Sequence, residues 1–175
     1  MTVSDQITEL TGEWILDPSR SAVSLASKSM GGLARVKGGF GQVTGQGTIS
    51  PAGDVTGTLT IAAASIDTKH TKRDKHLRSA DFFDSDNYPE ISFAVAGVRP
   101  SGQGVTITGT LSIRGRSRPL TFEGTATIHG EGEVVLDAVV IINRADFGLT
   151  WNVLGMAAMK NTLTIHAVFG RIPAR

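Results

Sequence analysis

The stretch Val105–Ile113, VTITGTLSI, alternates without a fault. Val105, Ile107, Leu111 and Ile113 share one parity, while Thr106, Thr108, Thr110 and Ser112 share the other. Successive side chains in a strand point to opposite faces, so this pattern predicts one apolar and one hydroxyl-rich face. The same alternation extends outward in both directions. Upstream, Ile91, Phe93 and Val95 alternate with Ser92, Ala94 and Ala96, and Val55, Leu59 and Ile61 with Thr56, Thr58 and Thr60. Downstream come Leu120, Phe122, Ala126 and Ile128, then Glu131 to Asn143, then Leu163, Ile165, Ala167 and Phe169. Nearer the start lie Trp14 to Leu16, Ser21 to Lys28 and Val36 to Ile49. The last of these changes phase between Phe40 and Val43, which predicts a β-bulge near Gly41-Gln42. Short turns at Pro51–Asp54, Arg99–Gly102 and Arg114–Pro119 make the strands antiparallel. About eight such strands with one continuous apolar face close most economically into a barrel, which removes exposed edges.

One segment breaks the pattern. From Ser65 to Phe93, SIDTKHTKRDKHLRSADFFDSDNYPEISF, charges crowd together and a helical insertion is expected over Lys69 to Arg78. Asp67 or Thr68 is the candidate N-cap, and His70–Asp74 and Asp74–Arg78 are spaced i,i+4. Tyr88-Pro89 forces extended backbone and starts the next strand. Lys69, Lys72, Arg73, Lys75 and Arg78 could clamp an anion. The acidic run Asp81, Asp84, Asp86 and Glu90 favours instead a solvated helix whose charge is balanced locally. Arg73-Asp74 and Arg144 with Asp146 read as structural ties between insertion and strands.

The chain has 175 residues and a formal net charge of +1, enough for one domain and too little charge to argue for nucleic acid. Residues 1–12 are polar and read as a flexible N-terminal tail, with the barrel domain over 13–172. With no cysteine, neither a disulfide framework nor a thiolate metal site is available, and the four histidines lack a ligand spacing. No nucleophile elbow or phosphate loop is present, so no catalytic residue, metal or cofactor is expected. The start lacks the pattern of a secretory signal and no apolar run is long enough to span a bilayer. A cytoplasmic protein without an integral membrane segment is therefore expected, with transient membrane contact left open.

The runs Ser65-Ile66-Asp67-Thr68, Arg73 to Arg78, Asp81 to Asp84, Tyr88-Pro89 and Ile91-Ser92-Phe93 resemble the signature of the YceI-like family. Trp14 to Pro18, Gly109 to Gly115 and Asn143 to Gly148 extend the resemblance over about residues 13–172. It implies a lipocalin-like antiparallel barrel that binds a long amphiphile, such as an isoprenoid quinone or polyprenyl phosphate. Two departures stand out: Arg20-Ser21 and Ser29-Met30 occupy places where family members often carry histidines, and the secretory signal of many members is not seen at the start.

Only 6% of residues are aromatic, and several inward positions are Gly or Ala, which together favour a cavity over a filled interior. Candidate lining residues are Phe40, Leu59, Ile61, Phe93, Ile107, Leu111, Phe122, Ile128, Leu163 and Ile165. Gly109, between the large Ile107 and Leu111, is expected to leave a gap for a tail, unless another backbone comes close there. Met30, Leu33, Phe147, Trp151 and Leu154 are the candidates for the mouth. The apolar loop Phe147–Met156 reads as a lid, as a segment packed on the barrel end, or as a homodimer contact. Non-enzymatic binding of a long isoprenoid, for transport, storage or sequestration, is the expectation. An enzyme acting on such an amphiphile and a partner-binding β-domain with a filled interior are the alternatives.

Overall fold

The computed structural model describes residues 3–29, 32–152 and 157–175. The strand segments are β1 Gly12–Leu16, β2 Ala22–Ser29, β3 Ala34–Phe40, β4 Val43–Ile49, β5 Val55–Ala62 and β6 Ile66–Asp67. They continue as β7 Glu90–Ser101, β8 Gly104–Ile113, β9 Arg116–His129, β10 Glu133–Asn143 and β11 Ala157–Arg171. Two helices accompany them, α1 Val3–Glu9 and α2 Thr71–Arg78.

The segments lie on eight staves. β1 and β2 follow one another along β11, with Leu16 opposite Phe169 and Ala22 opposite His166. β3 runs beside β2 and β4 beside β1, so 34–49 is one interrupted stave, and β5 with β6 forms the next. Each stave pairs antiparallel with its successor, and the last returns to the first. That is a closed eight-stranded up-and-down barrel, all-β with few helices, as the alternation predicts. The phase change at Gly41-Gln42 is therefore real. It is a two-residue break facing the 3-10 turn Ala63–Ser65, held by Gly41 N–H to Ser65 O (3.1 Å) and Ala62 N–H to Gln42 O (3.0 Å), rather than a one-residue bulge. Phe40 and Val43 on either side of it are both buried.

The α2 end and the α1 end of the barrel are closed differently. At the first, α2 starts at Thr71, two residues later than the sequence suggests, with His70 rather than Asp67 or Thr68 as N-cap; its Nδ1 accepts the Arg73 N–H at 3.2 Å. Asp74 turns inward, is buried, and accepts the Thr68 N–H (2.9 Å) and hydroxyl (2.5 Å). Arg73 donates to the same residue, Nε to Thr68 Oγ1 (2.7 Å) and Nη2 to Thr68 O (2.9 Å). Arg73 and Asp74 are thus the expected structural ties, and they share one anchor.

At the other end the flexible tail expected over 1–12 is not what residues 3–12 form. Val3–Glu9 is helical, Leu10 is buried, and Trp14 donates its indole N–H to Leu10 O at 2.9 Å. Arg171 donates to Thr11 O and stacks its guanidinium over the Trp14 ring. The apolar pair Ile7 and Leu10, one helical turn apart, gives this polar segment something to bury.

Candidate ligand-binding cavity

The barrel interior is not filled. An upper chamber of about 600 Å³ lies under α2, and a lower one of about 300 Å³ lies over α1. Leu59, Phe93, Phe122 and Ile165 line both, so they form a waist between the two. The rings of Phe93 and Phe122 meet across it at 5.5 Å between centroids. Cross-strand pairing explains the placement: Leu59 faces Phe93, and Phe93 faces Leu111, on three successive staves.

All ten expected lining residues border one chamber or the other. Phe40, Ile61, Leu111 and Leu163 line the upper chamber, Ile107 and Ile128 the lower, and the remaining four the waist. The expected mouth fares less well. Trp151 lines the upper chamber, its ring 4.3 Å from His76 and 5.4 Å from Phe82. Leu33 is 90% exposed and borders neither chamber. Phe147 is buried in the core beneath its own 3-10 turn, Arg144–Phe147, instead of at an opening. Met30 and Leu154 lie outside the described residues.

Gly109 is a correction. A Cβ there would sit 2.2 Å from the Ala94 carbonyl oxygen and 2.7 Å from Phe93 Cζ. The glycine permits two staves to approach at the level of the waist, and no gap exists beside it. Gly109 therefore contributes no space to either chamber.

Sequence reasoning raised Lys72 and Arg73 only as part of a helix that could clamp an anion, and it missed Lys28 and the rest of the polar rim as cavity lining. Lys28, Lys72, Arg73 and Arg144, with His70, His76 and Asn161, also line the upper chamber. Lys28 lies at the end of β2 on the parity opposite Val23 and Leu25, and Lys72 is in the first turn of α2; neither position is legible as cavity-facing from period alone. Arg144 is buried and donates to the carbonyls of Leu149 (2.7 Å), Trp151 (2.9 Å) and Ala158 (3.0 Å), with its guanidinium 5.5 Å from the Phe82 ring centre. Burial lowers its pKa from the ordinary arginine value. It pins the segment after β10 to β11, the structural role expected of it, and Asp146 is exposed. Of the acidic run after α2, one member meets a side chain of the helix and another a neighbour in the run's own turn. Asp81 is bound to His76 (2.9 Å) and Asp84 to the Asn87 amide (3.0 Å), and Asp67 to Lys69 (2.8 Å).

Comparison with known proteins agrees with this architecture. The model of the YceI-like domain matches residues 14–169. Protein YceI of Escherichia coli O6:H1 is 43% identical over 84 residues, which are 48% of this chain and 42% of the relative. The match thus spans less than half of that curated relative's length. Among solved structures, BcnA of Burkholderia cenocepacia superposes with a TM-score of 0.79 at 26% identity, covering 87% of this chain and 98% of that one. A domain from Saccharophagus degradans, described as polyisoprenoid binding and implicated in plant cell wall breakdown, gives 0.75 at 16% identity over 91% and 98% of the two chains. Matched over nearly its whole barrel, the chain belongs to the YceI-like family.

Proposed function

We propose that the barrel binds a long-chain isoprenoid or similar amphiphilic lipid and releases it chemically unchanged, in transport, storage or sequestration. The observation that carries this reading is the pair of adjoining chambers, walled by aliphatic and aromatic side chains and meeting at one waist. The larger falls within the roughly 300–1,000 Å³ of ordinary ligand sites. Apolar cavities of this kind exclude water and accept apolar guests. Each buried CH₂ of a tail contributes about 0.8 kcal/mol, so a long chain needs little polar chemistry to bind tightly. The description of the Saccharophagus degradans domain supports the same class of ligand. Native mass spectrometry of the protein purified from its own cells tests it. A co-purified long-chain lipid, released by organic extraction, is the expected result. Protein at its bare mass that also fails to bind a fluorescent polyprenyl analogue would overturn the proposal.

A further inference from the structure

The two chambers differ in charge. Among the described residues, every formally charged side chain that lines the upper chamber is basic: Lys28, Lys72, Arg73 and Arg144, with no Asp or Glu. The lower chamber has no charged lining residue; its polar groups are glutamines and threonines such as Gln6, Gln46, Gln103 and Thr56. The carboxylates nearest in sequence to α2 are engaged elsewhere. Asp67 holds Lys69, Asp74 is buried against Thr68, and Asp81 holds His76. Arg73 and Arg144 spend donors on backbone carbonyls, whereas the side chains of Lys28 and Lys72 make no hydrogen bond or ion pair among the described residues. Two unpaired ammonium groups, carried by different elements, therefore border one end of an apolar cavity.

We infer that the ligand is an anionic amphiphile, its phosphate or carboxylate head held by Lys28 and Lys72 beneath α2 and its tail directed through the Phe93–Phe122 waist toward α1. This rests on the lipid-binding reading and names the head group within it. An anion is favoured because the two lysine ammonium groups have no counter-ion among the described residues, and a bound oxyanion supplies one while making charge-assisted hydrogen bonds. Orientation follows from the same contrast. A charged head in the lower chamber would face only neutral amides and hydroxyls, whereas the tail loses nothing there.

Three probes with one tail separate the outcomes: geranylgeraniol, geranylgeranyl monophosphate and geranylgeranoic acid, titrated against the full chain. At low salt at least one anion should bind about tenfold more tightly than the alcohol, an advantage that shrinks on raising salt from about 0.05 to about 0.5 M. The double variant Lys28→Ala/Lys72→Ala should move the anion-to-alcohol affinity ratio toward one, and Lys28→Arg/Lys72→Arg should restore it. Thermal melts of both variants check that the barrel stays folded. An alcohol that binds as tightly as both anions, or a ratio unmoved in the alanine variant, would overturn the inference while leaving lipid binding intact. Binding of none of the three would remove lipid binding itself, and the head-group assignment with it.

Discussion

The upper and lower chambers occupy the same barrel, are walled by the same kinds of aliphatic residue and share four of them, yet their ends differ. Beneath α2, the polar residues are held by a network in which Thr68 accepts from Arg73 and donates to Asp74. Above α1 the closure is made by Ile7, Leu10 and Trp14, with Arg171 laid over the indole. The difference shows how a barrel acquires polarity. Alternation along the staves dictates a uniform apolar interior, and only the segments that close the two ends can distinguish one from the other. The sequence devotes its long charged insertion to one end and a seven-residue helix to the other.

The comparison is most easily broken at the waist. Gly109→Ala places a methyl within 2.2 Å of the Ala94 carbonyl, and backbone on both staves must move. Overpacking of this kind costs roughly 1–3 kcal/mol and sometimes more, and here we expect at least about 3. Chemical denaturation of the variant should show it, and a melt within error of the wild type would mean that the staves are not so close. A lesser loss is expected from Asp74→Ala, which strands the Thr68 amide and loosens α2 from the barrel. Hydrogen bonds to charged groups are worth about 1.5–3 kcal/mol, so a loss of about 2 is expected. Hydrogen exchange should then quicken in α2 and leave α1 unchanged; uniform exchange at both ends would deny that the ends are separately built.

Phe122→Ala tests whether the chambers are distinct at all. Removing a packed Phe costs roughly 3–5 kcal/mol, but this ring already borders open space on two sides, so about 1–2 is expected. With the waist widened, a probe with a bulky or branched tail should bind better relative to a slender one. An unchanged preference would mean that the ring does not divide the cavity. The smallest effect concerns acid. Lys69 beside Asp67, and Arg20 beside Glu133, hold these carboxyls below their ordinary values of 3.8 and 4.5. A depressed folded-state pKa contributes stability that is present above the ordinary value and lost as pH falls through the folded one. Thermal melts from about pH 6 to about pH 3 should therefore show a shallow decline beginning near pH 4–5, small because both pairs are exposed to solvent. Stability that rose in that range would contradict the assignment of these pairs.

Much of this molecule was legible as sequence. Val105–Ile113 dictated its strand residue by residue, and the parity rule placed Phe40, Leu111, Ile107 and Ile128 on the correct face because a strand has no third option. What parity cannot convey is depth and distance. Ile107 and Leu111 share a face but line different chambers, and the waist between them depends on two rings contributed by separate hairpins. Gly109 reads as a gap in one dimension; the neighbouring stave that fills it is visible only in three. Phe147 misled because a loop rich in apolar residues can turn them inward, here through Gly148 in the left-handed region at φ 74°. The charge contrast was hidden for a related reason. Counting acids after α2 says nothing about where their carboxylates point, and those whose partners are seen bind groups other than Lys72.

The chain has two tryptophans, and they fall on opposite sides of the waist: Trp14 lines the lower chamber and Trp151 the upper. Quenching by an amphiphile brominated at one position therefore reports where that position lies. Read in the single-tryptophan variants Trp151→Phe and Trp14→Phe, bromine at the tail end should quench Trp14 and spare Trp151. Bromine next to the head should do the reverse. Quenching of Trp151 by both probes would confine the ligand to the upper chamber, and a reversed pattern, or none, would contradict an amphiphile threaded head-up through the barrel.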